Sequence, residues 1–110
     1  MLRAPTGPGI DHADATDFDR KVLRSDVPVL VDFYADWCGP CRAMSPVLEE
    51  LARENPSVKI VKVNVDESPE LASQYRVDAI PRLMVFKGGQ PTAQHSGVAN
   101  KTRLNALLSR

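Results

Sequence analysis

Apolar residues recur along this chain with two periods, one of two residues and one of three to four residues. Residues 29–34 read Val-Leu-Val-Asp-Phe-Tyr, a short run that is rich in β-branched and aromatic residues and almost wholly apolar. Such a run is typical of a central strand that is buried on both faces. Residues 58–65 alternate instead, with valines on one face and Lys62 and Asn64 on the other, and this alternation predicts a second strand.

The rhythm becomes helical at Cys38. Apolar residues then follow the i, i+3, i+4, i+7 spacing of an amphipathic helix, at Met44, Val47, Leu48 and Leu51. Pro40 suits the first turn of this helix, and Asn55-Pro56 ends it. Pro46 lies inside the helix and predicts a kink, because proline has no backbone N–H to donate.

Shorter patterns account for the rest of the chain. Residues 15–23 predict a short helix, and a Ser-Pro pair at residues 68–69 predicts the start of another. Residues 80–86 and 92–98 flank a Gly-Gly pair and predict a β-hairpin. Asn100 is placed to cap a last helix, whose inward face carries Leu104, Leu107 and Leu108.

The predicted order is helix, strand, helix, strand, helix, strand, strand, helix. Strands that are separated by helices run parallel, whereas the hairpin adds an antiparallel pair. We therefore predict an α/β fold in which a mixed central sheet carries helices on both faces. Residues 1–9 contain two prolines and two glycines and are predicted to be a flexible lead-in to a single domain at residues 10–110.

The amino-acid composition argues against several classes of function. The 110 residues include 43% hydrophobic and 25% charged side chains, the balance of an ordinary globular domain. Fourteen basic and 14 acidic residues give a net charge of zero, which argues against nucleic-acid binding and against a polybasic membrane anchor. No apolar run approaches the roughly 18 residues that span a bilayer. The N-terminus lacks the apolar stretch of a signal peptide, so we expect a cytoplasmic protein.

The chain has two cysteines, Cys38 and Cys41, which lie three residues apart. Such a pair closes too small a loop to be a disulfide framework, so its spacing favours a redox-active pair in a reducing compartment. Cys38 is predicted at a helix N-terminus, where backbone N–H groups favour the nucleophilic thiolate, and Cys41 follows one turn later. A zinc site needs four ligands, and His12 and His95 lack ligand spacing. An inert buried pair is the other alternative.

Asp32 is a carboxyl group in the middle of an apolar run. Burial of an ionised carboxylate is costly, so we expect burial to raise the pKa of Asp32 and to make it a proton acceptor near neutral pH. The alternative is a buried acid that is hydrogen-bonded for structural reasons. Lys62, on the polar face of its strand, has the charge pattern of a solvated residue.

Residues 37–41, Trp-Cys-Gly-Pro-Cys, preceded by Val-Asp-Phe-Tyr-Ala at residues 31–35, resemble the active-site signature of the thioredoxin family. The resemblance extends over residues 10–110 and implies a thioredoxin fold. It also implies a thiol–disulfide oxidoreductase that reduces protein disulfides by dithiol–disulfide exchange through Cys38 and Cys41.

The resemblance implies roles for two further groups near the cysteine pair. Asp32 is expected to be the general base that deprotonates Cys41, and Lys62 is expected to lie near Asp32 and to modulate it. A substrate-binding surface is expected around them, formed by Trp37, Gly39, Pro40, Ile80, Pro81, Gly97 and Val98.

The Ile80–Pro81 bond is a point on which two expectations differ. Most X–Pro bonds in folded proteins are trans, so the dipeptide alone predicts a trans bond. The matching proline of the family is cis, and the backbone of the residue before it pairs with bound substrate like a strand. The resemblance therefore implies a cis bond and a substrate-pairing role for Ile80.

Two residues depart from the family pattern. Tyr34 stands where many members have a second tryptophan, which is an exchange of one aromatic residue for another. Arg82 follows Pro81 where threonine is common. We expect a cation there to favour the Cys38 thiolate or to select acidic partners.

By the same resemblance, the protein needs no bound metal or organic cofactor. Electrons are expected to come from NADPH through a flavin-dependent thioredoxin reductase, and the protein is expected to act as a monomer on disulfide-containing protein substrates. Two alternatives stay open. One is a disulfide oxidase or isomerase, which needs a more oxidising cysteine pair, although Gly39-Pro40 between the cysteines favours a reductase. The other is a binding subunit whose dithiol is idle.

Overall fold

The computed structural model describes residues 10–110, so the predicted lead-in at residues 1–9 lies outside the described residues. Within this range five strands form one sheet: β1 Ile10–His12, β2 Val29–Tyr34, β3 Lys59–Asn64, β4 Arg82–Lys87 and β5 Gln90–Ser96. Their spatial order is β1-β3-β2-β4-β5, so β2 lies at the centre with a strand on either side.

In the described part of the chain five helical segments accompany the sheet. A short π-helix spans Asp19–Leu23, and the α-helices are α1 Gly39–Ala43, α2 Ser45–Glu54, α3 Pro69–Gln74 and α4 Lys101–Leu108. The longest of them has ten residues, and within residues 10–110 none has the length and apolar character needed to cross a membrane.

The strand directions confirm the predicted mixed sheet. Strands β1 and β2 run parallel to β3, whereas β4 runs antiparallel to both β2 and β5. Strand β1 was not predicted. It has three residues, of which Ile10 is buried opposite Ile60 of β3. Because pairing with β3 and not a periodic pattern produces this strand, its sequence carries no separate signal.

Several element boundaries differ from the predicted ones. Strand β4 begins at Arg82 and not at residue 80, because Pro81 has no N–H to contribute to a ladder. Strand β5 spans Gln90–Ser96, two residues earlier than predicted, and the intervening Gly88 and Gly89 both have positive φ values. The predicted helix at residues 15–23 is shortened to the π-helix.

The prediction for Pro46 is confirmed. The helix that begins after Cys38 is divided at Met44 into α1 and α2, and Pro46 occupies the first turn of α2. Proline tolerates this position because the first N–H groups of a helix have no intrahelical acceptor. Asn100 caps α4 as predicted, since its side chain accepts a hydrogen bond from the Arg103 N–H at 2.9 Å.

The sheet separates two apolar cores, which confirms that helices cover both of its faces. The first core lies under α2 and α4, and its largest members are Leu30, Met44, Leu48, Leu51, Ile60, Leu83 and Leu104. The second lies under the π-helix and α3, and it includes Phe18, Val22, Val31, Phe33, Val63, Leu71 and Phe86. Strand β2 contributes to both cores because its side chains alternate between the two faces.

Asp32 lies within this apolar interior. Alternation along β2 places it on the same face as Leu30, and its side chain is fully buried. Neither carboxyl oxygen has a hydrogen-bond partner within residues 10–110. Burial raises the pKa of Asp32 from 3.8 to about 7, against the lowering effect of the Lys62 charge. The direction of this shift is the one that the sequence predicts.

The raised pKa predicts a stability that depends on pH. Because the folded protein holds the Asp32 proton up to about pH 7 and the unfolded chain releases it near 3.8, this group destabilises the fold progressively as pH rises between those values. The loss amounts to about 4 kcal/mol between about pH 4 and about pH 8. Asp32→Asn removes the group that ionises. The free energy of unfolding of this variant, relative to that of the natural protein, should therefore increase as pH rises.

Urea unfolding of both oxidised proteins across this pH range measures the difference. A difference in unfolding free energy that stays constant from acid to alkaline pH would contradict the assigned Asp32 pKa. The control is Asp19→Asn, which removes an exposed carboxylate that pairs with Arg24 and should not reproduce the difference between Asp32→Asn and the natural protein.

Candidate active site

The end of β2 leads directly into the cysteine pair. Residues 35–37 turn the chain, and the Cys38 N–H donates to the Ala35 carbonyl at 3.2 Å. Cys38 then caps α1 in an extended conformation, with Gly39 and Pro40 in the first helical turn. Proline fits there because its ring fixes a helical φ and its missing N–H would have no acceptor. The local sequence therefore places Cys38 at a helix N-terminus, as predicted.

Cys38 and Cys41 form a disulfide, with their Cα atoms 5.2 Å apart. Both residues are buried, with exposed fractions of 5% and 2%. The Cys41 backbone N–H donates to the Cys38 sulfur at 3.2 Å. After reduction, a donor at this position stabilises a thiolate on Cys38 more than a thiol, which lowers the pKa of an attacking cysteine. Within the described residues no cluster of three metal-ligating side chains is present.

Lys62 and Asp32 lie side by side in the sheet. They are partners in the pairing of β2 with β3 and therefore share a face. The family resemblance implied that Lys62 lies close to Asp32, whereas the charge pattern alone favoured a solvated lysine. In the structure Lys62 is half-buried. Its ammonium lies 4.6 Å from the centre of the Tyr34 ring, a cation–π contact. The positive charge acts on Asp32 by lowering its pKa, in opposition to burial.

A cavity of about 230 Å³ has Lys62 and the second cysteine in its wall. Its lining is formed by Tyr34, Ala35, Asp36, Cys41, Arg42, Ser45 and Lys62. A water occupies about 30 Å³, and the wall offers several polar groups, so the cavity has room for a few bridging waters. A larger cavity of about 540 Å³ also includes Tyr34 and Lys62 but opens beside β1 and has no cysteine in its wall. The smaller cavity is therefore the one that belongs to the dithiol.

The Ile80–Pro81 bond is cis. The family resemblance implied this isomer, and the prediction from the dipeptide alone is wrong because tertiary packing decides the isomer here. The side chain of Ile80 packs against the cluster of Ala35, Cys38 and Cys41. The Pro81 carbonyl accepts a hydrogen bond from the Gly97 N–H at 2.8 Å. Residues 80–81 and 97–98 are thereby joined beside the dithiol.

Two large apolar side chains are exposed near these loops. Trp37 is 69% exposed immediately before Cys38, and Val98 is 54% exposed immediately after Gly97. Gly97 has a φ of 91°, a left-handed conformation that favours glycine. Exposed aromatic and aliphatic groups around a reactive centre suit contact with another protein. The roles of these residues, and of the exposed Gly39 and Pro40, stay predictions.

Three contacts of the site had no signal in the sequence. The indole N–H of Trp37 donates to the Asp66 carboxylate at 2.8 Å, although 29 residues separate the two. Arg42 donates to the Asp36 carbonyl at 2.7 Å. The Lys62 ammonium lies over Tyr34, for which the sequence suggested only an aromatic exchange. Each contact depends on the turn after β2 or on strand register, neither of which a linear pattern specifies.

The Arg82 cation next to Pro81 is paired within the fold. Its side chain is buried, and its guanidinium donates to the Asp78 carboxylate at 2.7 Å and to the Gln94 side chain at 3.0 Å. Alternation along β4 places it with Met84 on the sheet face opposite Asp32. The charge of Arg82 is therefore compensated by Asp78.

Comparison with known proteins identifies the family. The sequence model described as Thioredoxin matches residues 9–110. The chain is 52% identical over 101 residues to thioredoxin 1 of Nostoc sp., covering 89% of this chain and 94% of that protein. It is 51% identical over 98 residues to thioredoxin 1 of Synechococcus elongatus, covering 88% and 91%. A thioredoxin of Alicyclobacillus acidocaldarius is 50% identical over 91 residues, covering 82% and 87%.

These similarities agree with the geometry described above. A five-stranded mixed sheet carries a Cys-Gly-Pro-Cys disulfide at the start of a helix, with a cis-proline loop beside it. The chain therefore belongs to the thioredoxin family and is a thiol–disulfide oxidoreductase of the protein-disulfide reductase type.

Proposed function

We propose that Cys38 is the residue that attacks the disulfide of a protein substrate. Its thiolate forms a bond to one substrate sulfur, the substrate S–S bond breaks, and the second substrate sulfur leaves as a thiolate. The observation that carries this assignment is the hydrogen bond from the Cys41 N–H to the Cys38 sulfur at the start of α1. Cys41 lies within the first turn and has no equivalent position, so its thiol is less favoured as a thiolate.

Cys41 completes the reaction. Its thiolate attacks the Cys38 sulfur, the mixed disulfide breaks, and the first substrate sulfur leaves as a thiolate, so two electrons have passed to the substrate. Asp32 accepts the Cys41 proton, because a carboxylate with a pKa of about 7 is a base that is matched to neutral pH. The cavity that Cys41 and Lys62 share offers space for water between Cys41 and the Lys62 side chain, and Lys62 is the strand partner of Asp32.

Lys62 sets the strength of that base. Without a positive charge nearby, burial would raise the Asp32 pKa still further and leave the group protonated at neutral pH. The contact with Tyr34 holds the ammonium in the half-buried position from which it acts. Lys62 is therefore a positioning and tuning residue, and Asp32 is the proton acceptor.

The substrate chain binds across the loop at Ile80. Within residues 10–110 neither the N–H nor the carbonyl of Ile80 has a hydrogen-bond partner, although its side chain contacts the dithiol cluster. An extended peptide can pair with these two groups as an added strand. Trp37, Gly39, Pro40, Pro81, Gly97 and Val98 form the surrounding contact surface.

Regeneration of the dithiol requires two electrons for each substrate that is reduced. We propose that a flavin-dependent thioredoxin reductase supplies them from NADPH and that the protein itself needs no resident cofactor. The family relationship supports this donor. A single local cysteine pair suits a reducing compartment, which favours the cytoplasm, and we propose that the protein acts as a monomer.

Variants at the two cysteines separate the two steps. Reduced Cys41→Ser should accumulate a mixed disulfide between Cys38 and oxidised insulin, because no second thiol releases the substrate, and intact-mass spectrometry detects that adduct. Cys38→Ser should form no adduct and show no catalytic reduction of insulin. Turnover by Cys38→Ser, or an adduct on Cys41 of comparable yield, would overturn the assignment of the attacking residue.

Removal of the Lys62 charge should weaken Asp32 as a base at neutral pH. Lys62→Met should raise the Asp32 pKa above about 7, shift the pH midpoint of mixed-disulfide resolution upward, and slow that step roughly 3- to 10-fold at neutral pH. Stopped-flow measurement of Trp37 fluorescence during single turnover follows the step. The matched control is Lys59→Met in the same strand, whose ammonium donates to the Lys21 carbonyl. Equal pH profiles for the two variants would contradict the role of Lys62.

A further inference from the structure

The loop that presents Ile80 is held by few main-chain contacts. It runs from the end of α3 to the start of β4, and the Val77 N–H is hydrogen-bonded to the Ala72 carbonyl at its beginning. Within residues 10–110 the N–H groups of residues 78–80 donate no hydrogen bond. A segment with free amides must be ordered by side chains if it is to bind a partner without a large entropic cost.

Arg82 supplies such a side-chain tie. It lies one residue beyond the cis-proline, and its side chain is 11% exposed. One guanidinium nitrogen donates to Asp78 at 2.7 Å, and another donates to the Gln94 side chain on β5 at 3.0 Å. Arg82 thus joins the near end of the loop, the far end of the loop and the neighbouring strand.

Contacts of the residues on either side of Ile80 restrain the backbone of the loop. Asp78 and Arg82 lie two residues before and two residues after it, and their ion pair bridges the segment between them. On the other side, the Gly97 N–H donates to the Pro81 carbonyl. A planar guanidinium that donates to two partners, here the exposed Asp78 and Gln94, restricts the backbone more than a flexible lysine would. The loop is therefore fastened on both sides of the dipeptide that faces the dithiol.

The charge of Arg82 is not among the causes that shift the Asp32 pKa. Among the described groups, burial and Lys62 account for the shifted Asp32 pKa, and Arg82 lies on the opposite face of the sheet. The Arg82 guanidinium is also paired with Asp78. The arrangement suits a mechanical role in the loop.

We propose that the Arg82–Asp78 ion pair is a positioning device that holds the Ile80 main chain in the conformation that pairs with an extended protein substrate. This inference rests on the proposed function, in which Ile80 provides that pairing. The ion pair therefore controls the docking of polypeptide disulfides. It does not control the intrinsic reactivity of the Cys38–Cys41 dithiol.

Two substrates distinguish docking from dithiol chemistry. Insulin offers a peptide chain to Ile80, whereas hydroxyethyl disulfide has no peptide groups. The variants are Asp78→Ala, Arg82→Met and the double variant, each assayed below its measured melting temperature, with Asp78→Asn as the variant that keeps an acceptor without the charge. The control is Asp19→Ala, which breaks the exposed ion pair between Asp19 of the π-helix and Arg24 just after it.

The expected result is a KM for insulin that rises about 3- to 10-fold in Asp78→Ala and in Arg82→Met, with kcat and the hydroxyethyl disulfide rate unchanged. Because the two residues act as one unit, the KM for insulin should rise no more in the double variant than in either single variant. The KM of Asp78→Asn should lie between those of Asp78→Ala and the natural protein. The KM of Asp19→Ala should equal that of the natural protein.

Three results would overturn the proposal. The first is an unchanged KM for insulin in both single variants. The second is a double variant in which the two increases in KM add. The third is an equal loss of rate with hydroxyethyl disulfide. In each case the natural protein still reduces insulin, so the proposed function stands while the role of the ion pair fails. Failure of the natural protein to reduce insulin is a different result, because it removes the proposed function and the inference that rests on it.

Discussion

Strand β2 is enclosed on every side, with hydrogen-bonded strands along both edges and an apolar core against each face. Its position determines where the chain emerges, and at that point the turn of residues 35–37 leads into the cap of α1 at Cys38. The same enclosure removes Asp32 from water two residues before the strand ends. One buried strand therefore positions both the attacking sulfur and the proton acceptor, and the rest of the sheet keeps that strand in place.

The burial that makes Asp32 useful also destabilises the fold at neutral pH. A carboxyl group without hydrogen-bond partners in the described part of the chain is unfavourable inside an apolar core, and the cost grows as it ionises. Lys62 offsets part of this cost and lowers the Asp32 pKa into the neutral range. Such a local departure from good core packing is typical of functional sites, where stability is exchanged for chemistry.

Much of the fold followed from periodicity, and the chemistry followed from residue type. The apolar run around Asp32, the helical spacing after Cys38 and the Gly-Gly turn each had a direct structural counterpart. Strand β1 did not, because three residues are too few to show a period. The Trp37–Asp66 and Arg82–Asp78 contacts depend on how loops meet in space, and the cis bond before Pro81 depends on packing. Linear patterns specify elements well and the contacts between loops poorly.

The reduction potential of the Cys38–Cys41 pair tests the central claim most directly. The pair would be equilibrated with reduced and oxidised glutathione at about pH 7, and the fraction of disulfide read by Trp37 fluorescence, confirmed by thiol alkylation and mass spectrometry. A reductase requires a potential at least about 30 mV below that of the glutathione couple, which is a tenfold or greater preference for passing electrons on. A potential near or above that couple would contradict the reductase assignment and indicate a disulfide oxidase or isomerase.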